Sequence, residues 1–552
     1  MNLPPLELDG ASLDAQALVQ VARQGRKVAL APAARARLAA TRDYIDAHWL
    51  RDDAPLMYSF NTGVGALKSL RIGAERIALF QRNLILAHSG GTGAPMPDDA
   101  VRAMLLLRAN AFASNYSGVR VEVVERLLDF LNHGITPIVA AQGSVGASGD
   151  LAPLAIMSGA LMGLPECRVR WNGRDCTAPE ALAACGLPPA MEFLAKDASA
   201  LINGSTASLA YAVLAAWDAR RLLDNANLSL CLSLEALRCE LVAFEARVHA
   251  ARPHRGQQRV AAAIRQLTAG SRRCSEPARQ IRLWGTPGLD AAQAGTPHAP
   301  PLAPRIQDVY SLRCAPQVHG PVLDALDYVD GILATEMNSA TDNPLVFPEA
   351  DGGYRIISGG HFHGQYIAQA MDLLALAVTD LGAISDRRSA RLVDPACNFG
   401  IPANLIATLP GVNTGFSVVQ SMGTGLVLEN MNLCAPASVT SLPAKGNTED
   451  HISNSCWAAR RTRQVVDNAQ TVVAVEALLA CQALDLIERD LRDYPLAPAT
   501  AAAWQALRRR VPAALDGDRW VQADIEAARR AICDDALVDA VVVGQGVDFR
   551  LR

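Results

Sequence analysis

The sequence has little of what marks a nucleic-acid partner, a metal protein or a membrane protein. Its 51 Lys and Arg are balanced by 55 Asp and Glu, giving a net charge of −4 over 552 residues and no cationic excess for a phosphate backbone. Only 19% of residues are charged against 50% hydrophobic, a composition that excludes general disorder. None of the twelve cysteines forms a CxxC pair or joins a Cys/His cluster with zinc-like spacing. Cysteines scattered in this way fit a reducing cytoplasm better than a disulfide framework. The opening MNLPPLELDGASLD has no basic stretch followed by an apolar one, so no secretion signal is read there. No uninterrupted apolar run of about 18 residues occurs, which argues against a membrane span. Internal repeats and low-complexity segments are also missing. These absences leave a cytoplasmic globular protein of roughly two to four domains, with volume for a large core.

What is present is helical pattern. Strand-like runs are few, whereas 3.6-residue periodicity recurs in DDAVRAMLLLRANAFASN, GVRVEVVERLLDFLNHG, TASLAYAVLAAWDARRLLDNANLSLCLSLEAL, HGQYIAQAMDLLALAVTDLGAISDRRSARLV and AARRTRQVVDNAQTVVAVEALLACQALDLIERDL. Several of these exceed an ordinary globular helix, so the expected fold is mostly α, a bundle of long buried helices. Three segments are expected: 1–225 as a smaller α-rich N-terminal domain, 226–495 as the central long-helix bundle and 496–552 as a short helical tail. The Pro- and Gly-rich stretch from Gly285 to Arg305 reads as an irregular, mobile loop, and RVRWNGRDCTAPEAL around Trp171 as a small hairpin.

One stretch, GSVGASGDLAPLA from Gly143 to Ala155, is composed almost wholly of small residues and offers no ordinary nucleophile or metal ligand. Taken alone it is a turn before a helix, with Ser148 or Asp150 capping the free N–H groups. Taken whole it resembles the signature of the aromatic amino acid ammonia-lyase and aminomutase family. The resemblance implies that Ala147-Ser148-Gly149 cyclises and dehydrates on its own to 4-methylidene-imidazol-5-one (MIO), with no external cofactor. Small residues suit this chemistry, because attack of one backbone nitrogen on the carbonyl two residues earlier needs a compressed turn that glycine reaches with little steric penalty.

Further blocks follow in family order: YSFNTGVG from Tyr58, FQRNLILAHSGGTG from Phe80, LINGSTAS from Leu201, RPHRGQ from Arg252, IQDVYSLRCAPQVHG from Ile306, NSATDNPLVF from Asn338, ISGGHFHGQ from Ile357 and GNTEDHIS from Gly446. By resemblance Tyr58 is the base that takes the β-hydrogen. Arg313 clamps the substrate carboxylate through its planar guanidinium. Gln307 and Tyr310 support cofactor and substrate. Asn203 hydrogen-bonds the MIO oxygen, and Phe362 borders the pocket. Asp150 and Asn343 are expected to support cofactor formation and loop geometry. A metal reading of HFH at His361 to His363 is set aside, since no third ligand lies nearby in sequence.

Two positions bear on the substrate. Family members that act on histidine carry a His where this chain has His88 and a Glu where it has Glu449. A carboxylate in the side-chain pocket suits an imidazole that donates N–H, whereas beside a phenyl ring it is a costly unpaired charge. Departures are Ser59 for the usual Gly after the tyrosine, Val64 for an aromatic and Thr448 for a common Gln. The expected function is removal of ammonia from an aromatic L-amino acid, histidine first. A tyrosine or phenylalanine lyase or 2,3-aminomutase is the alternative, and a helical scaffold that lost its chemistry is the second. SGGTG from Ser89 lacks the P-loop lysine, which argues against nucleotide binding. The family resemblance also implies a homotetramer whose active sites draw on more than one subunit.

Overall fold

The computed structural model describes residues 3–283, 305–444 and 449–551. The expected mobile loop, apart from Arg305, lies outside these residues, as does Thr448. The long periodic segments form long helices, as the pattern predicts. The elements that frame the site are α1 (Ile77–His88), α2 (Leu151–Met162), α3 (Asp197–Ile202), α4 (Thr206–Ala236), α5 (Tyr310–Arg313), α6 (Ala315–Met337), α7 (Gln365–Val393), α8 (Ser417–Leu433) and α9 (Ser455–Ile487). Three stretches, Asp197–Ala236, Gln365–Val393 and Ser455–Asp490, are long and apolar enough to cross a membrane, yet 94, 67 and 83% of their apolar windows are buried inside the protein. Helices this apolar on all sides belong in a core.

Strands are short. The expected hairpin at Trp171 is present: β1 (Arg168–Trp171) pairs antiparallel with β2 (Arg174–Thr177) in the register Trp171↔Arg174. Its two-residue turn places Asn172 at φ 49° and Gly173 at φ 76°, the double left-handed geometry that favours Asn-Gly in hairpins. A second antiparallel hairpin joins β3 (Leu345–Pro348) to β4 (Tyr354–Ile357), with Leu345 opposite Ile357.

The chain divides into two compact units. Unit 1 is Met1–Ala215, Val329–Asp372 and Pro436–Arg463; unit 2 is Ala216–Tyr328, Leu373–Ala435 and Gln464–Arg552. Each is assembled from three separated stretches, where sequence reading expects the continuous segments 1–225, 226–495 and 496–552. The difference has a simple origin: α4, α6, α7 and α9 each contribute residues to both units, and helical periodicity reports a buried face without saying which neighbour buries it.

In unit 1, Ile45, Trp49, Ala54, Met57, Phe60 and Val346 form a closed apolar cluster. Unit 2 is tied internally by a buried ion pair. Arg388 on α7 meets Glu476 on α9 through Nε at 2.6 Å and Nη2 at 2.7 Å. The hydroxyls of Ser233 and Ser385 also donate to that carboxylate, at 2.8 and 2.7 Å. A buried charge pair is tolerable only when its remaining hydrogen-bonding capacity is filled in this way.

Candidate active site

A strand delivers the GSVGASGD stretch and a helix receives it. Ala140–Gln142 pairs antiparallel with Thr92–Pro95, and the chain leaves that edge through Gly143 at φ 94°. α2 begins at Leu151. In between, Ala147, Ser148 and Asp150 are 9, 4 and 0% exposed, so the triad is enclosed rather than a surface turn. Gly149 sits at φ 74°. A Cβ there would lie 3.3 Å from Ser455 Oγ and 3.4 Å from the Cys456 nitrogen, so a side chain would be strained and crowded together.

Donors from two other stretches hold the triad's carbonyls. The Gly364 N–H, at 3.1 Å, and the Ser453 hydroxyl, at 2.9 Å, both donate to the Ala147 oxygen. The Ser455 hydroxyl donates to the Ser148 oxygen at 2.9 Å. Paired donors on the Ala147 oxygen draw electron density from its carbon, as an oxyanion hole does.

Asp150 stands at the N-cap of α2 without capping it. Its carboxyl turns instead to Ser208, accepting the backbone N–H at 2.8 Å and the hydroxyl at 2.5 Å. Ser144 Oγ, not Ser148 or Asp150, accepts a first-turn N–H, that of Ala152, at 3.3 Å. Ser148 Oγ accepts from the Asp150 N–H, at 3.3 Å. Burial pushes the Asp150 carboxyl up to about 7, against the bonds from Ser208 that pull it down.

Asn203 follows α3, and its Nδ2 donates to the Asn343 carbonyl at 2.8 Å. One of its amide protons is thus engaged by protein, while the resemblance assigns the side chain to the MIO oxygen. Asn343 in turn accepts the Gly359 N–H on Oδ1 at 2.8 Å, a loop-holding contact of the kind expected. Gly204 has no alternative: a Cβ would collide with the Arg108 guanidinium and the Thr341 carbonyl. Arg108 is fully buried and donates to Thr341 O at 3.2 and 3.1 Å. Burial brings its guanidinium down to about 10, although Asp342 and Asp150 raise it.

Tyr58 is half-buried between Met57 and Phe60, which anchor its loop in the apolar cluster. Its hydroxyl faces the Gly65 N–H at 3.5 Å. Ser59 adopts φ 68°, the conformation that explains the usual glycine at this place, and its buried hydroxyl donates to Ser199 Oγ at 2.6 Å. Glu449 reaches the triad loop: a Cβ built on Gly146, the residue before Ala147, would be 3.0 Å from Glu449 Oε2. His88 ends α1, half-buried, with Nδ1 2.8 Å from Leu84 O. Phe362 is half-buried, and the neighbouring His363 ring stacks on His451 at 5.8 Å.

A family model described as aromatic amino acid lyase matches residues 13–509. The chain belongs to the aromatic amino acid lyase family. It is accordingly an enzyme, a carbon–nitrogen lyase. It is similar to a histidine ammonia-lyase of Symbiobacterium thermophilum, 43% identical over 96% of this chain and 97% of that protein. In structure it resembles a histidine ammonia-lyase from Trypanosoma cruzi (TM-score 0.85, 34% identity, 99% of this chain and 97% of that one). It also resembles a tyrosine aminomutase from Streptomyces globisporus (TM-score 0.88, 33% identity, 99% of this chain and 100% of that one).

In this aromatic amino acid lyase the expected site residues fall into both units. Tyr58, His88, the triad, Asn203, Phe362 and Glu449 are in unit 1; Gln307, Tyr310 and Arg313 are in unit 2. Gln307 is exposed and Tyr310 is 71% exposed. The Arg313 guanidinium lies 4.9 Å from the Tyr310 ring centre, and its Nε donates to Asp308 O at 2.8 Å. That turn is held from within unit 2, since Arg388 donates to Ser311 O at 3.2 Å. Sequence reading assigned no role to Ser208, Ser453, Ser455, Arg108 or Gly364. Ser208 and Ser453 lie inside the LINGSTAS and GNTEDHIS blocks and Gly364 inside ISGGHFHGQ, but a lone serine or glycine carries no chemical signal until its partner is known.

Proposed function

We propose that this chain is a histidine ammonia-lyase, releasing ammonia from L-histidine and leaving urocanate. The observation that carries the substrate reading is the Glu449 carboxylate at Gly146, beside the triad. An imidazole N–H can pair with that carboxylate, whereas a phenyl ring offers it no hydrogen-bond donor. The relative from Symbiobacterium thermophilum, named for the same activity, supports it.

The triad fits the expected MIO group. Gly149 occupies a cradle that a Cβ would crowd, and two donors polarise the Ala147 carbonyl that its nitrogen would attack. When formed, the group supplies an electrophilic methylidene, which no ordinary side chain provides. The chain's own residues do the rest. Tyr58 accepts the β-proton on its phenolic oxygen. Arg313 receives the carboxylate, with Gln307 and Tyr310 beside it. Glu449 and His88 orient the imidazole, Phe362 borders it, and Asn203 donates where negative charge develops. Because Gln307 and Tyr310 lie exposed on the single chain, we assign Gln307, Tyr310 and Arg313 to a neighbouring subunit's site within a homotetramer of the cytoplasm.

The test is to incubate the purified protein separately with L-His, L-Tyr and L-Phe, following ammonia and ultraviolet absorbance. Urocanate with stoichiometric ammonia from histidine alone is expected; a β-amino acid without ammonia would identify an aminomutase instead. Glu449→Gln should lower kcat/KM for histidine by about ten- to a hundredfold, the scale of one hydrogen bond to a charged group. Ser148→Ala should abolish turnover.

A further inference from the structure

Three polar side chains from separated stretches form a line of contacts that ends on the triad. Ser455 Oγ is 2.9 Å from the Ser148 carbonyl oxygen, Ser208 Oγ is 2.9 Å from Ser455 Oγ, and Asp150 Oδ1 is 2.5 Å from Ser208 Oγ. Asp150, Ser208 and Ser455 are all completely buried. Glycine makes the room, because a Cβ on Gly364 would collide with the Ser455 hydroxyl.

Counting protons fixes the direction of this line. There are three contacts but two hydroxyl protons, and a carbonyl supplies none. Ser208 donates to Asp150 and Ser455 donates to the Ser148 oxygen, which spends both hydroxyl protons on the two ends of the line. With the Ser208 proton drawn to Asp150, the 2.9 Å approach of the two hydroxyls fixes where the Ser455 side chain sits while its own proton goes to the Ser148 oxygen.

We propose that Ser208 and Ser455 are positioning residues that keep a hydrogen-bond donor on the Ser148 carbonyl oxygen while the triad dehydrates. The proposal rests on the reading of the triad as the MIO precursor. The step concerned is the second loss of water. The Ser148 Cα–H bond breaks, and its electron pair is shared with the adjacent carbonyl, whose oxygen gains negative charge. That pair then forms the Cα=Cβ bond as the Cβ–Oγ bond breaks. The Cα proton and the departing hydroxide leave as one water, and Ser455 keeps its own proton. Ser453 serves the other carbonyl, that of Ala147, and so belongs to the earlier ring closure.

The experiment is mass measurement of the Ser148 peptide from full-length wild type, Ser455→Ala, Ser208→Ala and Ser453→Ala, each checked for native helix content by circular dichroism. Wild type should be lighter by two waters. Ser455→Ala should accumulate a species lighter by one water, ring-closed but not dehydrated, with the second loss slowed by about a hundredfold, the scale of removing one oxyanion donor. Ser208→Ala should give the same arrested species in smaller yield, and Ser453→Ala should accumulate unmodified peptide. A merely structural role for Ser455 would yield unmodified peptide, not the one-water arrest, and would overturn the proposal. A wild-type peptide of full mass overturns the reading of the triad itself. Complete two-water loss in Ser455→Ala at the wild-type rate overturns the present proposal alone. If Ser455→Ala does not fold, Ser208→Ala decides: complete loss at the wild-type rate overturns the proposal, and the one-water arrest supports it.

Discussion

Asp150 is a carboxyl whose surroundings disfavour its charge. Its folded value, about 7, lies above the ordinary 3.8. The unfolded chain therefore gives up this proton at lower pH than the folded chain does. Its contribution to stability is full below about pH 4, declines as pH rises, and is exhausted above about pH 7. Asp150→Asn, which keeps the shape and removes the titration, should flatten the denaturation midpoint across that window; an unchanged pH slope would show that Asp150 is not its source. Ser59 is a second residue where local rules are broken and compensated. Ser59→Ala keeps the left-handed φ and loses the bond to Ser199, and should destabilise by about 0.5–1.5 kcal/mol. Ser59→Gly loses the same bond but relieves the backbone, and should stay within about 1 kcal/mol of wild type in urea. Sequence comparison flagged Ser59 as a departure from the family pattern. Only the bond to Ser199, 140 positions away, explains why the departure is tolerated.

Among the elements, long helices do the positioning. The buried Arg388–Glu476 pair joins α7 to α9, and the same guanidinium holds Ser311 O within α5, the turn that carries Tyr310 and Arg313. Removing one partner strands the other without compensation, which typically costs about 3–5 kcal/mol. Glu476→Gln should lower the thermal midpoint by several degrees and raise KM more than it lowers kcat, because the Arg313 turn loosens while the triad is untouched. Equal KM and kcat with a lowered midpoint would detach the pair from the site. The existence and type of these helices was legible from apolar periodicity, and the hairpin at Trp171 from its Asn-Gly pair. The convergence of Gly364, Ser453 and Ser455 on the triad was not. It depends on tertiary approach between stretches some 200 to 300 residues apart, which no local pattern encodes.

For the molecule as a whole, the expected site residues divide between two units that are each stitched from three stretches of chain. Tyr310 is 71% exposed on the single chain, and the proposed homotetramer assigns it to a neighbour's site. A shared site makes a specific prediction for mixtures. Ser148→Ala and Arg313→Ala, each inactive alone, should regain part of the wild-type turnover when dissociated and reassembled together, because some sites then receive an intact triad from one chain and an intact arginine from another. Mixtures that stay inactive while forming hybrid tetramers would confine each site to one subunit. Sharing is what the sequence resemblance implies, whereas the make-up of each unit from three stretches was hidden, since periodic apolar residues do not name their partners.

The two serines that grip the triad come from the last stretch of unit 1, Pro436–Arg463. A growing polypeptide on the ribosome therefore carries Ala147-Ser148-Gly149 through most of its synthesis before those hydroxyls exist. On the proposed roles of Ser453 and Ser455, the reactive group is withheld until the chain is nearly finished, which would spare the half-made protein an exposed electrophile among the cell's free amines and thiols. A product terminated after Ala435 should keep its three peptide units linear.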